Sequence, residues 1–136
     1  MTMSGPMTLF QLGQRAMSAQ LVRMNAAASN LANAGSVSAT EDGAYRPLRA
    51  VFAEQLDAAT GLSTVNVHSV QREDAAPVKR HDPAHPLADE NGDVWASPVD
   101  ENAEMVEMMD ASRQYQNMIE ALSTAKQLML ETMRMK

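Results

Sequence analysis

The chain has 136 residues, a formal net charge of −6 and no cysteine. This length fits one domain, and the acidic balance argues against a general nucleic-acid binder, which would be basic. The lack of cysteine excludes thiol catalysis and disulfides, and no apolar run approaches the roughly 20 residues that direct insertion into a membrane needs.

The first predicted element is a helix over residues 7–34. Thr8 is its expected N-cap, with Gln11 three residues later as the partner in a capping box. Gly13 is the one helix-weakening glycine inside it, and Gly35 marks the expected C-terminal stop. Apolar residues repeat every seven positions in two neighbouring rows, which are Phe10, Met17, Met24 and Leu31, and Met7, Gln14, Leu21 and Ala28.

Asn30 and Asn33 stand near the end of this predicted helix. Asparagine is a weak helix former, and its amide can bond the free carbonyls of a last turn. On the residues alone, the pair favours an ordinary C-terminal stop.

Residues 36–99 predict a small β-rich insertion. They contain five of the six prolines of the chain. The residue pattern predicts strands around Arg49–Gln55 and Ser63–Val70 and a short strand that begins at Val78. Asn91-Gly92 is a hairpin-turn signal.

Two patterns resemble metal sites, and neither predicts one. His81 and His85 have the spacing of a helical ligand pair, but Pro83 lies between them and excludes a regular helix. Residues 89–93 resemble part of a calcium loop, yet leucine and proline would occupy its first and last ligand positions, which favours a turn. The sequence contains no nucleophile–base pattern and no phosphate-binding glycine loop. We therefore expect no metal, no cofactor, no small-molecule substrate and no enzyme activity.

The last 32 residues, Met105 to Lys136, predict one amphipathic helix roughly 48 Å long, because they contain no glycine or proline. Acidic residues gather at its start and basic residues in its second half, which suits the helix dipole. Ile119 and Met133 widen its apolar stripe. The two rows that repeat every seven residues are Met108, Tyr115, Leu122 and Met129, and Ala111, Met118, Ala125 and Thr132.

The shared repeat predicts a mainly α fold, in which long N- and C-terminal helices pair as an antiparallel coiled coil around a small β-rich insertion. The expected segments are 1–35, 36–99 and 100–136. A core helix of a small bundle is the simpler alternative, but two helices alone cannot bury a broad stripe, so we expect packing on other subunits. The predicted subunit-packing residues are Phe10, Met17, Leu21, Met24, Asn30, Leu31, Asn33, Met108, Tyr115, Met118, Ile119, Leu122, Ala125 and Met129.

Three stretches of the sequence resemble a known family. Residues 23–33, RMNAAASNLAN, look like the signature near the N-terminus of bacterial flagellar rod and hook proteins. Residues 81–94, HDPAHPLADENGDV, are similar to the segment before the C-terminal helix in the FlgC proximal-rod family. So are residues 104–116, EMVEMMDASRQYQ, followed by residues 124–130, TAKQLML. Residues 36–80 match that family less well.

The resemblance implies a structural subunit of the flagellar proximal rod, in the basal body where the rod crosses the periplasm. It implies export by the flagellar type III apparatus without a cleavable signal peptide, and polar residues interrupt the early apolar residues of the chain as that expectation requires. It further implies that the terminal helices line a hollow tube and transmit torque. The implied partners are other flagellar rod proteins, copies of the chain itself and the membrane-anchored ring at the rod base, with no nucleic acid.

A second hypothesis is a soluble helical export chaperone or regulator of a secretion system, which would mask the helices of its partners. The β-prone, proline-punctuated middle argues against it. A compact helical dimer in solution would favour it.

Overall fold

The computed structural model describes residues 8–135, so Met7 and Lys136 of the predicted helices lie outside the described residues. Neither helix in the described range is both long enough and apolar enough to cross a membrane. The elements in chain order are α1 (Leu9–Ala32), β1 (Val37–Ser38), β2 (Leu48–Leu56), β3 (Ser63–Arg72), β4 (Val78–His81), β5 (Asp93–Ala96) and α2 (Glu101–Arg134).

Side-chain caps fix where each helix begins. The predicted capping box of α1 is confirmed, because Gln11 N donates to Thr8 Oγ1 at 3.2 Å and Thr8 N donates to Gln11 Oε1 at 3.1 Å. Asp100 caps α2 by accepting from Asn102 N and Ala103 N at 3.0 and 3.3 Å. Glu101 lies in the first turn of α2, where a negative charge favours the helix dipole.

The two helices pack side by side and run antiparallel. Asn30 contacts Glu104, Arg23 contacts Glu107, and Gly13 faces Leu122, so the paired residue numbers rise on one helix as they fall on the other. Since α1 has 24 residues and α2 has 34, α2 is the longer helix. The register leaves roughly the last eight residues of α2, about 12 Å of helix, beyond the start of α1.

The middle of the chain forms two separate antiparallel sheets. β2 and β3 pair from Leu48↔Arg72 to Leu56↔Ser63, with a register shift between Val51 and Phe52, and we call this pair the hairpin. The second sheet has the strand order β1-β5-β4. The predicted strands at β2, β3 and β4 are therefore confirmed, while the two-residue β1 carries too little sequence pattern to predict.

The chain turns at Asn91-Gly92 as predicted, and Gly92 has φ +78°, a left-handed conformation that suits glycine. The turn is not a two-residue hairpin, however. It closes the longer connection of residues 82–92, which Asp82 N fastens by donating to Gly92 O at 2.9 Å.

The prediction of a mainly α fold built on an antiparallel coiled coil is wrong. Two antiparallel sheets fill the middle of the chain, and the hairpin lies on α1 beside α2. The helices meet through Gly13, through the fully buried Ala111 and through a polar contact between Asn30 and Glu104, whereas a coiled coil needs continuous rows of large apolar knobs. A seven-residue repeat tells which side of a helix is apolar and does not tell what covers that side.

The core of the described chain is unusual in composition. Its buried apolar residues are alanines and one valine, which are Ala19, Ala26, Ala27, Ala44, Ala111 and Val94. The largest fully buried side chains are Glu104, Val94 and Asn30, so two of the three are polar. Polar bonding therefore organises the point where the helices and the hairpin meet.

Candidate functional site: a helical packing surface and a buried polar hub

The first candidate site is a set of exposed apolar side chains along α2, which we call the packing surface. Eight large apolar side chains of this helix are exposed by 45% or more. Single exposed apolar residues are normal on a protein surface, but eight on one helix are not. An apolar area of this extent is typical of a surface that another protein covers. Its members are Met105, Val106, Met109, Ile119, Leu128, Met129, Leu130 and Met133.

An apolar cleft of about 400 Å³ separates the two helices near the start of α1. Leu9, Leu12 and Ala16 line one side, and Met118 and Leu122 line the other. The helices approach closely at the bottom of this cleft, because a Cβ atom added to Gly13 would lie 2.6 Å from Leu122 Cδ2. Glycine weakens an isolated helix, but at position 13 its missing side chain leaves the space that the Leu122 side chain occupies.

We expect Gly13→Ala to lower the free energy of unfolding by about 1–2 kcal/mol, because the cost of the clash with Leu122 exceeds the gain in helix propensity. In the background of Leu122→Ala the same substitution should cost nothing or stabilise, since the added methyl then fills the vacated space. Chemical denaturation of the two single variants and the double variant measures this coupling. Strictly additive effects would show that Leu122 does not fill the space over Gly13.

The structure distributes the fourteen predicted packing residues over several environments. Met118 and Leu122 lie in the cleft, Met24 and Met108 line a second groove of about 420 Å³, and Asn30 is buried. Half-buried positions are held by Phe10, Met17, Leu31, Asn33, Tyr115 and Ala125. The exposed members are Leu21, Ile119 and Met129. Contact with another subunit remains a prediction for all fourteen.

Asn33 caps the end of α1, as the residues alone favoured. Its Nδ2 donates to Ser29 O at 2.8 Å, and it is the C-cap residue. Asn30, three residues earlier, is not a cap: its side chain is buried and bonds residues of other elements.

The side chain of Asn30 forms the centre of a buried polar cluster that we call the hub, composed of Asn30, Tyr45, Leu48, Arg49 and Glu104. Asn30 Oδ1 accepts from Leu48 N at 2.7 Å and from Tyr45 OH at 2.8 Å. Its Nδ2 donates to Leu48 O at 3.0 Å and to Glu104 Oε2 at 3.1 Å. A neutral amide has two donor hydrogens and two acceptor sites, so Asn30 is fully satisfied while 0% exposed.

Glu104 is the carboxylate of the hub and is only 1% exposed. Its Oε1 accepts from Arg49 Nη2 at 2.5 Å, while Arg49 Nε lies 3.4 Å from Glu73 Oε2. The hydrogen bond to Glu104 raises the pKa of Arg49, which keeps this guanidinium charged. Since the Arg49 side chain is 43% exposed, the pair joins a buried negative charge to a positive charge that water still reaches.

A second ionic contact joins the helices one to two turns from the hub. Arg23 Nε donates to Glu107 Oε1 at 2.7 Å, and Arg23 Nη2 donates to Asp110 Oδ2 at 3.0 Å. Both bonds raise the pKa of Arg23, and the bond to Glu107 has the larger effect. The carboxylates are half exposed, so solvent screens this contact more than the hub.

Sequence reasoning missed the hub residues Tyr45, Arg49 and Glu104 as a group. One signal was present: Glu104 lies seven residues before Ala111 and therefore heads the row of Ala111, Met118 and Ala125. An acidic residue at an apolar position of a repeat indicates a buried partner. Its partner Arg49 lies in another element and has no pattern that points to Glu104.

The histidine and aspartate patterns serve the β4–β5 connection. Asp89 Oδ1 accepts from Asn91 N and Asp93 N at 2.8 and 2.9 Å, which confirms the predicted turn. His81 Nδ1 lies 2.9 Å from Asp93 Oδ1 and Lys79 Nζ lies 3.2 Å from Asp93 Oδ2. The hydrogen bond to His81 lowers the pKa of Asp93, so its stabilising contribution is complete above the usual aspartate pKa and is lost as the pH falls through the lowered value.

Two family models match the two helical segments of the chain. One, described as flagella basal body rod protein, matches residues 10–37, and the other, described as flagellar basal body rod FlgEFG protein C-terminal, matches residues 90–135. A relative from Salmonella typhimurium, named flagellar basal-body rod protein FlgC, is 45% identical over 129 residues, which are 93% of this chain and 95% of the relative. The chain belongs to the FlgC family. FlgC proteins of Escherichia coli O6:H1 and of Buchnera aphidicola from Schizaphis graminum are 42% and 35% identical at the same coverage.

The resemblance to the FlgC family that three sequence stretches predicted is thus confirmed. This FlgC-family chain is a structural rod subunit of the flagellar basal body. The alternative of an export chaperone finds no support among these relatives. The two family models cover α1 and α2 and leave the hairpin outside them, while the alignments with FlgC relatives span nearly the whole chain.

Proposed function

We propose that the chain builds the proximal part of the rod by packing its two helices against copies of itself and against other flagellar rod proteins, with the membrane-anchored ring beneath them at the rod base. The exposed packing surface on α2 carries this proposal. Burying a large apolar side chain is worth about 1.5–3 kcal/mol, so eight of them supply ample driving force for assembly.

In the proposed arrangement the helices lie toward the axis of a hollow tube and the sheets lie outward. The exposed large apolar residues of α2 have no partner on the sheets, which supports a helical interior. The role is mechanical: interlocked helices transmit torque, and no catalytic step takes place. Within residues 8–135, the histidine, aspartate and glutamate side chains form no group of three or more that could hold a metal.

We further propose that the chain is exported into the periplasm intact. A cleavable signal peptide is about 15–30 residues long, and its removal would delete from about a third to nearly all of α1, which begins at Leu9. Arg23 and Asn30 would then lose the helix that positions them. Retention of α1 in the assembled rod is therefore a condition of this fold.

Single cysteines test the proposed packing, because the natural chain has none. We expect Met109→Cys and Leu128→Cys, each in purified basal bodies, to cross-link to neighbouring rod subunits through a short bifunctional maleimide. Each position is exposed in the single chain and should lie within reach of a neighbour in the rod.

The matched control for this experiment is Glu90→Cys, an exposed position in the β4–β5 connection. We expect little cross-linking there. Efficient cross-linking at Glu90 and none at Met109 or Leu128 would contradict helical packing.

A further inference from the structure

The hub connects three parts of the chain through hydrogen bonds and an ion pair. Asn30 belongs to α1, Glu104 to α2, and Leu48 and Arg49 to the first two residues of β2. Tyr45 adds the loop before β2, because its hydroxyl donates to Asn30 Oδ1. Three of the four bonds of Asn30 go to Tyr45 and Leu48, and the fourth goes to α2.

Each part of the hub depends on another part. The Glu104 carboxylate is buried, so it needs both Arg49 Nη2 and Asn30 Nδ2 as donors. The Arg49 guanidinium in turn is drawn to the hub by the charge of Glu104. The start of the hairpin is therefore fastened to α1 by Asn30 and to α2 by Glu104.

The far half of the hairpin has fewer polar bonds to α1 than the half at the hub. A cleft of about 780 Å³ separates it from α1, with Gln14, Arg15 and Ser18 on the helix and Gln55 and Asn66 on the hairpin. Arg15 Nη1 donates across this cleft to Thr64 Oγ1 in a long bond of 3.4 Å. Within residues 8–135, most of the polar bonds between the hairpin and the two helices therefore lie at the hub.

We propose that the hub is a latch that docks the β2–β3 hairpin on α1 only when α2 has paired with α1. When α2 leaves, Asn30 Nδ2 and Arg49 lose their common acceptor, and the hairpin loses its link to α2. The hairpin is therefore docked when the two helices are paired and undocked when they are separated. This coupling concerns the inside of one chain and goes beyond its packing in the rod.

Two pairs of spin labels on the full-length chain test the latch. Cysteines at Ala59 and Ser123 report the distance from the hairpin turn to α2, and cysteines at Gln14 and Glu120 report helix pairing. All four positions are exposed. Pulsed electron paramagnetic resonance gives the distribution of each distance, and both should be narrow in the otherwise natural chain.

Glu104→Gln is the decisive variant, because it changes α2 alone and keeps the shape of the side chain. The new amide can still accept from Arg49, but its NH₂ group then faces Asn30 Nδ2, and two donors oppose each other. We expect the Ala59–Ser123 distribution to become about twofold broader as the hairpin samples undocked positions, while the Gln14–Glu120 distribution stays narrow.

Adding Asn30→Asp to Glu104→Gln should narrow the hairpin distance again. The substituted carboxylate keeps the bonds from Leu48 N and Tyr45 OH and accepts from the amide at position 104, so the bond to α2 returns while the bond to Leu48 O is lost. Arg23→Gln is the control, since it removes the bonds to Glu107 and Asp110 between the same helices and none to the hairpin. It should leave the Ala59–Ser123 distance narrow.

An unchanged hairpin distance in Glu104→Gln would overturn the latch. So would a loss of hairpin docking that the double variant fails to restore, whether or not the helices also separate, because that result would indicate a general loss of structure. Broadening of the hairpin distance in Arg23→Gln, while the Gln14–Glu120 distribution stays narrow, would equally overturn it.

Discussion

Leu122→Asp should abolish incorporation of the chain into the rod and, with it, swimming. The side chain of Leu122 fills the space above Gly13, where a side chain on α1 would collide with it. A carboxylate there loses the packing of a leucine and lies in an apolar cleft without a partner. We expect a cost of about 2–4 kcal/mol for the helix pair, which is large against the marginal stability of a small domain.

The measurement for Leu122→Asp is swimming-ring diameter together with the amount of chain in purified basal bodies, at matched expression and export. Gln127→Glu is its control, because Gln127 is exposed on α2 and lies beyond the start of α1. We expect this variant to swim nearly as well as the natural protein. Wild-type swimming of Leu122→Asp, or a greater defect in Gln127→Glu, would show that the buried side of α2 has been assigned wrongly.

Asn30→Ala should destabilise the isolated chain by about 3–5 kcal/mol, because it leaves several buried polar groups without partners. Leu48 N–H, Leu48 C=O and the Tyr45 hydroxyl each lose a bond, and Glu104 loses one of its two donors. Chemical denaturation monitored by circular dichroism measures the loss as a shift of the unfolding midpoint.

Asn33→Ala is a closely matched control for the Asn30 prediction. It has the same residue type, in the same signature, three positions later. Its amide bonds one carbonyl at the end of α1, so its loss should cost only about 1 kcal/mol. Equal losses for the two variants would refute a special role for Asn30 and would leave both asparagines as ordinary helix-end residues.

Local patterns predicted the elements of this fold well. The capping box at Thr8, the strands β2, β3 and β4, and the turn at Asp89 each depend on neighbouring residues, and each was visible in the sequence. Such features follow from bonds within a few positions of the chain.

The arrangement of those elements could not be predicted in the same way. The heptad rows were compatible with a coiled coil, yet Gly13 and the alanines bring the helices close, and the hairpin occupies part of α1. The hub joins residues 30, 49 and 104, whose pairing depends on tertiary contacts across the chain. Asn30 and Asn33 looked alike in sequence because their difference lies only in what folds against them.

The antiparallel course of the helices has a practical consequence for labelling. The chain enters α1 and leaves α2 at the same end of the molecule, and the packing surface continues to that end. A fluorescent domain fused ahead of α1 or behind α2 would therefore crowd the same place, where neighbouring subunits are proposed to pack. The connection at residues 82–92 lies outside both helices, so a short epitope inserted there would mark the subunit and leave the helical ends unobstructed.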